Sequence, residues 1–340
     1  LHRVDRRQRQ MCIRDSGYLV GEPHFGLRYM FKMMNEARIG VGFGAAMIGY
    51  RGYQYSLDYA KDRTQGRIAP NNKPEHDATA IINHGDVKRM LLAQKAYTEG
   101  AIALCLYGSN LIDRINTSDD DTLQNELSEL LDLLTPVIKA WPSEYGPKAN
   151  DLGIQVLGGA GYTREYHAEQ FWRDNRLNPI HEGTNGVQAL DLSFRKIWQN
   201  QGLGMQVLKR EITNDLQSIT TPESAKLAGK LMPYTEHLHN VLVHLSKILP
   251  TEKALTLTGN AQALMNIFAS IVVSWMWIRQ ASTAEQLLAQ EQASDKQNFY
   301  HGKIQAAKYF IDWELPTIQR DIDLLNNDNS VCTDMEVEWF

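Results

Sequence analysis

The sequence has few cysteines and no excess of positive charge. Its three cysteines, Cys12, Cys105 and Cys332, are far apart and form no CxxC pair, which argues against a disulfide framework and against a zinc site. Lysine and arginine together number 35 against 40 aspartates and glutamates, a net charge of −5. That balance argues against a protein that binds nucleic acid by neutralising phosphates. We therefore expect a protein of the reducing cytoplasm that binds no nucleic acid.

The sequence also lacks a long hydrophobic run, and we do not expect its first residues to act as a signal peptide. Residues 1–16 contain five arginines but lack the apolar core of about seven residues that a secretory signal needs. We interpret them as an artefact or a disordered segment rather than as a basic arm. The most apolar segment, residues 264–278, has fifteen residues, fewer than the ~20 that cross a bilayer. Because Asn266, Ser270 and Ser274 form a polar stripe along it, a central bundle helix is favoured over a membrane span.

Apolar residues at steps of three and four predict a chain that is almost entirely helical. A helix is predicted after Asp119–Asp121, and others over residues 25–62, 85–112, 231–249, 254–281 and 295–315. Pro222, Pro233 and Pro250 are interpreted as helix boundaries. Pro316 is expected to end the helix over 295–315. The predicted fold class is all-α.

Two segments partly resemble metal-binding motifs, but neither matches the full motif. Asp119–Asp121 lacks the ligand spacing and the central glycine of a calcium loop, whereas acidic residues suit a helix N-terminus. His181 and Glu182 begin an HExxH pattern, but Asn185 stands where the second histidine belongs. A helix is expected to begin near Asn185, with Asn185 and Gln188 as a capping pair. We expect no metal site.

Glycines at two places indicate the close approach of another group. The predicted helix over 25–62 contains the glycines Gly40, Gly42, Gly44 and Gly49. Packing against another helix is favoured there over contact with a ligand. Residues 158–161 (GGAG) are typical either of a phosphate-binding turn or of a helix C-cap, and composition alone favours the cap. A dinucleotide-binding fold is not indicated, because no strand precedes these residues and GxGxxG is not matched.

Three linked motifs lie between residues 154 and 192. They are QxxGGxGY (155–162), an Arg-Asp pair eleven residues later and EGTxxxQ (182–188). In this order and spacing they resemble the C-terminal helical domain of the acyl-CoA dehydrogenases. The similarity extends upstream over about 17–116, through NEAR and YxxxRxQGR.

The resemblance also implies how the chain is divided. Residues 17–200 are expected to form the C-terminal helical bundle of this family. Residues 201–340 resemble, by pattern rather than by motif, the additional helical domain of a subgroup that includes the methylmercaptopropionyl-CoA dehydrogenases. Family members carry an N-terminal helical domain and a central β-domain before the matched part, so we expect this chain to be a fragment that is inactive alone.

The resemblance implies α,β-dehydrogenation of an acyl-CoA thioester, with FAD as the cofactor. Glu182 matches the carboxylate that removes the α-proton, while the β-hydrogen leaves as hydride to the flavin. A thioester α-proton is weakly acidic, so the base needs a water-excluding pocket and the developing enolate needs hydrogen-bond donors. In the family, the backbone N–H of this glutamate and a ribityl hydroxyl of the flavin are those donors.

Other residues acquire cofactor roles through the same resemblance. Gln155, Gly158 and Gly159 match the segment near the adenosine diphosphate part of FAD, commonly that of a neighbouring subunit. Arg63 matches the arginine that meets the FAD pyrophosphate across that interface, and Thr184 matches a position beside the base that touches FAD. An aromatic residue that often follows the glutamine of YxxxRxQ is replaced here by glycine, so no stacking is expected on that side.

Substrate contacts and partners are implied as well. Arg38 and Gly183 are expected to bind the substrate, although an arginine at position 38 could equally pair with a nearby carboxylate. The implied partners are an acyl-CoA, an electron-transfer flavoprotein and further copies of the chain. Three alternatives remain open: an acyl-CoA oxidase of the same fold, a non-catalytic helical interaction module, and a DNA-binding relative, which the acidic charge disfavours.

Overall fold

A computed structural model describes residues 18–68, 70, 77–291 and 293–340. The segment 1–16, interpreted above as an artefact, lies outside the described residues, as does Cys12. Within the described part, the β-structure is limited to a single antiparallel bridge between Thr64 and Ala80. The predicted all-α fold class is confirmed.

The described residues form eleven α-helices: α1 (Gly26–Asp62), α2 (Gly85–Thr117), α3 (Asp121–Leu157), α4 (Gly159–Tyr162), α5 (Ala168–Asn175), α6 (Asn185–Asp191), α7 (Leu203–Ser218), α8 (Pro222–Ile248), α9 (Ala254–Leu288), α10 (Ser294–Tyr309) and α11 (Gln319–Asn326). Short 3-10 or π-helical segments join some of them, at Ile81–Asn83, Leu192–Lys196, Gln199–Gly202, Phe310–Glu314, Leu315–Ile318 and Val337–Trp339. The predicted helices are therefore all present, with differences in their ends.

The start of α3 confirms that the aspartates cap a helix. The carboxylate of Asp120 accepts hydrogen bonds from the backbone N–H groups of Thr122 (2.9 Å) and Leu123 (3.2 Å). This satisfies two of the donors that the first turn of a helix leaves unpaired.

Prolines end fewer helices than the sequence predicts. The helix predicted to begin at residue 231 begins at Pro222, and Pro233 lies inside it. Pro222 occupies the first turn, where the missing N–H has no helical partner to lose. Pro316 does interrupt the chain as predicted, because it lies in the 3-10 segment between the π-helical turn and α11.

The N-terminus of α8 is capped from another helix. Glu285, near the end of α9, accepts hydrogen bonds from the backbone N–H groups of Glu223 (3.0 Å) and Ser224 (2.8 Å), and from the Ser224 hydroxyl (2.5 Å). One carboxylate therefore holds the ends of two long helices together.

Helix α9 forms the centre of the core. Among the described residues it is the one helix long and apolar enough to suit a membrane span, yet 89% of its most apolar window is buried within the fold. Trp275 and Trp277 are fully buried, and the Trp277 indole N–H donates to the carbonyl of Ala96 in α2 (3.0 Å). The predicted role as a central bundle helix is confirmed.

One hydrophobic cluster continues on both sides of residue 200. It includes Leu104, Leu134 and Ile138 before that position and Leu231 and Phe268 after it. The division between 17–200 and 201–340 therefore stays a prediction based on resemblance.

Residues 38–340 form one compact unit, and the described residues before them belong to another. In the N-terminal unit, Tyr18, Leu19 and Val20 are exposed, and the backbone N–H of Glu22 donates to the Tyr29 hydroxyl (3.0 Å).

Helices α1 and α3 approach each other at glycines. A Cβ atom on Gly42 would overlap the carbonyl oxygen of Ile138, and one on Gly49 would lie 3.2 Å from the Cα of Gly146. The Ile138 carbonyl also lacks its usual helical donor, since Pro142 has no N–H. The predicted helix packing is confirmed for Gly42 and Gly49.

The other two glycines singled out in this helix behave differently. Nothing lies within 4 Å of a Cβ atom built on Gly40 or on Gly44. No close approach is present at these two positions within the described structure.

Candidate active site

The EGT segment forms a tight loop before α6. Helix α6 begins at Asn185, as predicted, but the N-cap is Thr184, whose hydroxyl accepts from the backbone N–H of Val187 (3.2 Å). The expected capping pair of Asn185 and Gln188 is therefore wrong. Asn185 turns inward instead, and Gln188 reaches back to the carbonyls of Glu182 (3.3 Å) and Gly183 (3.4 Å).

Glu182 and Gly183 have left-handed backbone conformations. Their φ angles are 54° and 83°. This region is unfavourable for a residue with a Cβ, and side chains held in it cluster at functional sites. The Glu182 side chain is exposed at the surface of this chain. The loop therefore presents one carboxylate in a constrained geometry.

A buried lysine binds the loop from the interior of the fold. Lys139, on α3, is fully buried, and its ammonium donates to the carbonyls of Asn178 (2.8 Å) and Gly183 (2.8 Å) and to Oδ1 of Asn185 (3.5 Å). The amine thus ties together three points of the segment that contains Glu182.

The environment of Lys139 makes it more acidic than usual. Burial, followed by the nearby charge of Arg38, lowers the pKa of the Lys139 ammonium to about 8, while the charge of Glu182 opposes that shift. Sequence reasoning missed this residue. The signal is the run LLTPVIKAW, in which Lys139 is the only charged residue among apolar neighbours.

Three buried asparagines, Asn150, Asn175 and Asn178, form an amide ladder beneath the site. Asn178 donates to Asn175 (2.8 Å), which donates in turn to Asn150 (2.7 Å) and to the carbonyl of Ala45 (3.0 Å). Asn150 donates to the carbonyl of Ile48 (3.2 Å). The ladder joins α1, α3 and α5, and Lys139 extends it to the loop. Sequence reasoning missed it, because Asn150 and Ala45 are 25 and 130 positions from Asn175 and meet it only in the fold.

Arg38 lies in the interior. It is 6% exposed, and its guanidinium pairs with Asp191 of α6 at 3.4 Å. Of the two roles considered for Arg38, the structure describes the pairing with a carboxylate, and substrate binding stays a prediction. Its Nε is buried without a hydrogen-bond partner among the described residues.

A second group of predicted residues lines a separate cleft of about 660 Å³. Arg63, Gly158 and Gly159 meet there, beside His84 and Tyr166. The structure therefore brings together three of the five predicted cofactor residues.

The remaining predicted residues lie elsewhere. Gln155 is exposed on the last turn of α3, and its carbonyl accepts from the N–H of Gly158 (3.1 Å), which ends the helix with a φ of 62°. The predicted helix cap at Gly158 is confirmed. Glu182, Gly183 and Thr184 belong to the loop before α6 and are not part of the cleft lining.

The chemistry of the cleft suits a diphosphate. Arg63 is exposed, and a guanidinium can donate two parallel hydrogen bonds to phosphate oxygens. Nothing lies within 4 Å of a Cβ atom built on Gly158 or Gly159, so an anion can approach their backbone closely. His84, across the cleft, is oriented by a 2.8 Å hydrogen bond to the carbonyl of Gln65.

His181, the histidine of the partial HExxH pattern, forms a contact within its own turn. Nδ1 of His181 lies 3.1 Å from the carbonyl oxygen of Leu177. In the part of the chain that the structure describes, no three side chains of His, Cys, Asp or Glu are grouped to hold a metal ion.

Comparison with known proteins identifies the family. A family model described as "Acyl-CoA dehydrogenase, C-terminal domain" matches residues 24–196, and one described as "Acetyl-CoA dehydrogenase C-terminal like" matches residues 208–336. The chain belongs to the acyl-CoA dehydrogenase family.

Two curated relatives illustrate the similarity. The chain is 41% identical over 187 residues to a 3-methylmercaptopropionyl-CoA dehydrogenase of Ruegeria pomeroyi, covering 55% of this chain and 31% of the relative. It is 30% identical over 325 residues to a broad-specificity linear acyl-CoA dehydrogenase of Mycobacterium tuberculosis, covering 92% of this chain and 53% of the relative. The chain thus spans about half the length, or less, of these relatives.

Solved structures share the fold. A Caenorhabditis elegans protein, ACDH-11 in complex with C11-CoA, superposes with a TM-score of 0.73 at 19% identity, over 94% of this chain and 50% of the other. An acyl-CoA dehydrogenase from Bacillus anthracis complexed with FAD gives a TM-score of 0.67 at 17% identity, over 90% of this chain and 50% of the other. At these identities the likeness concerns the fold alone.

Proposed function

We propose that this chain provides the catalytic base and part of the FAD site of an acyl-CoA dehydrogenase that introduces an α,β double bond into an acyl-CoA thioester. One observation carries the proposal. Glu182 of the EGT motif is held in a left-handed turn by Lys139 and Gln188, with its carboxylate exposed. A base on a strained, supported turn is positioned before the substrate arrives.

The residues of the chain have distinct tasks in this reaction. The carboxylate of Glu182 accepts the α-proton, and the backbone N–H of the same residue donates to the thioester oxygen as negative charge develops there. The chemistry that FAD would supply when bound is that of a hydride acceptor for the β-hydrogen. Gly183, which is expected to contact the substrate, lets the Gln188 amide pack against the loop, and Thr184 fixes the start of α6 through its capping bond.

We assign the cleft to the diphosphate of FAD. Arg63 neutralises its charge, while Gly158 and Gly159 permit close backbone approach. This cleft and the Glu182 loop do not share lining residues, so a flavin on the cleft of one subunit and a base from another would form a complete site. A homo-oligomer with FAD across its interfaces follows from this assignment.

The remaining partners are proposed on the same basis. An electron-transfer flavoprotein is the expected electron acceptor, and the cytoplasm is the expected location. The thioester substrate and the activity belong to the whole protein, because the relatives extend well beyond the matched part. We therefore expect this chain to be inactive by itself.

The test is flavin reduction under anaerobic conditions. The protein, expressed with any coding sequence upstream of Gly17, is mixed with a panel of acyl-CoA thioesters, and flavin bleaching is followed by stopped flow. Glu182→Gln is expected to lower the rate roughly 100- to 10,000-fold, while the control Glu165→Gln, at an exposed carboxylate, is expected to leave it unchanged.

Two of the alternative functions have their own signatures, in this experiment or in its aerobic counterpart. Absence of bleaching by every thioester, with FAD bound, overturns the proposal. Rapid peroxide formation in air without an added acceptor would identify an oxidase instead. A non-catalytic helical module predicts that Glu182→Gln changes nothing.

A further inference from the structure

We infer that Lys139 is the positioning residue of the catalytic loop: its buried ammonium fixes Glu182 in its left-handed turn by holding the carbonyl of the next residue. That Lys139 holds the loop rests on the geometry alone. That this matters for catalysis rests on the proposed function.

The contacts of Lys139 are unusual for a lysine. Its three acceptors, on Asn178, Gly183 and Asn185, are all uncharged oxygens. Removing a cation from water costs several kcal/mol or more, so a lysine at a fully buried position is a poor choice for packing alone. What the ammonium offers is three donors on one atom, matched here to three points of one loop.

The position of the bond to Gly183 connects it to the base. The carbonyl that Lys139 holds is that of Gly183, the residue directly after Glu182. Rotation about the Glu182 backbone would move this carbonyl away from the ammonium. The lysine thereby favours the left-handed conformation of Glu182, which a residue with a Cβ adopts at a cost of about 1–3 kcal/mol.

Charged groups face Lys139 from several elements. Arg38 of α1 and Glu182 of the loop act on it directly. Arg38 is itself paired with Asp191 of α6, and Glu144 of α3 reaches the cluster through the side-chain amide of Asn185 (3.1 Å).

Titration of the amine should therefore loosen the loop. With a pKa of about 8, Lys139 loses a proton at mildly alkaline pH and is left with two hydrogens for three acceptors. The wild-type loop is expected to open more often above that pH. A guanidinium at the same position keeps its charge and donors, so Lys139→Arg should shift this behaviour to higher pH.

The first experiment is amide hydrogen exchange on the full chain, which needs no activity. Lys139→Met is compared with wild type and with Lys196→Met, which removes another buried lysine amine, one paired with Asp132 away from the loop. Exchange in residues 178–186 is expected to be about tenfold faster or more in Lys139→Met only. Equal protection in Lys139→Met and wild type overturns the inference.

The second experiment measures flavin reduction and its pH profile. Lys139→Met should lower the rate roughly 10- to 100-fold, with little change in half-saturation by acyl-CoA, and should remove the loss of rate that wild type is expected to show above the pKa of Lys139, about 8. Lys139→Arg should restore part of the rate. An unchanged rate in Lys139→Met overturns the catalytic part.

The two proposals fail in distinguishable ways. If wild type reduces flavin and Lys139→Met behaves like it, only the positioning role falls. If wild type reduces no flavin with any thioester, the proposed function falls, and hydrogen exchange still decides whether Lys139 holds the loop. Should Lys139→Met not fold, exchange of wild type and Lys139→Arg across the alkaline range decides: identical profiles overturn the inference.

Discussion

Gly183 and Gln188 lie so close together that a Cβ atom on Gly183 would fall 2.5 Å from Nε2 of Gln188. The same amide nitrogen donates to the carbonyls of Glu182 and Gly183. The glutamine therefore closes the loop onto α6, and this closure requires a glycine before Thr184.

Replacing Gly183 should disturb the loop for two reasons. In Gly183→Ala, the φ of 83° is unfavourable for alanine and the new methyl group meets the Gln188 amide, so we expect a loss of about 1–3 kcal/mol of unfolding free energy. Flavin reduction should fall as well. Gly186→Ala is the matched control, since a Cβ there meets only the Thr184 hydroxyl at 3.8 Å. Urea unfolding measures the difference, and equal midpoints for both variants would contradict the expectation.

The role of Arg63 can be measured through cofactor affinity. Loss of a charge-assisted contact to phosphate in Arg63→Gln should weaken FAD binding about tenfold or more, and high salt should reduce the difference from wild type. The control is Arg51→Gln, which changes an exposed arginine on α1, the helix that ends just before Arg63; Arg51 is not in the cleft lining. Titration with FAD followed by flavin fluorescence gives both affinities. An Arg63→Gln protein that binds FAD as tightly as wild type would place the diphosphate elsewhere.

Two glycines in α1 should respond in opposite directions to alanine. Gly42→Ala places a methyl group onto the Ile138 carbonyl and is expected to cost about 1–3 kcal/mol. Gly40→Ala, two residues earlier in open space, should stabilise the chain by about 0.5–1 kcal/mol through helix propensity. Thermal or urea unfolding checks both, and a stabilised Gly42→Ala would contradict the described helix crossing.

The interhelical cap at Glu285 should make stability depend on acid pH. Burial raises the pKa of this carboxyl, but hydrogen bonds from Ser224, Glu223 and Thr221 outweigh it, so the pKa is lowered overall. The stabilisation is therefore present above the ordinary glutamate pKa and lost as pH falls through the folded value. Glu285→Gln should cost about 1 kcal/mol at neutral pH and progressively less in acid.

A matched control separates this cap from general charge effects. Glu236→Gln removes an exposed carboxylate and should change unfolding little at either pH. If the destabilisation of Glu285→Gln stays constant from neutral to acid pH, the ionised cap is not its cause.

Helix periodicity was sufficient to predict the fold class, whereas the role of Glu182 rests on the resemblance carried by the three linked motifs and stays a prediction. Apolar spacing reports which face of a helix is buried, and this property is local in sequence. Capping by Asp120 is equally local, since donor and acceptor are two or three residues apart. These features could be predicted because the residues that form them lie close together in the sequence.

The support of the site could not be predicted in this way. Lys139 and Gly183 are 44 positions apart, and Asn175 and Ala45 are 130 apart, so their contacts exist only after α1, α3 and α5 have packed. The Thr184 cap was missed for a related reason. Asn185 was assigned the local role, but tertiary contacts with Glu144 and Lys139 draw its side chain inward.

The prolines of α3 have a consequence for how this protein acquires its structure. Pro136, Pro142 and Pro147 all lie inside the helix, and each interior proline opposes an isolated helix by about 3 kcal/mol. The second half of α3 therefore becomes helical only when its neighbours dock against it. Since this half carries Lys139 and Asn150, the platform under Glu182 cannot be assembled ahead of the rest. We therefore expect the supports of the Glu182 loop to form together with the rest of the fold and not before it.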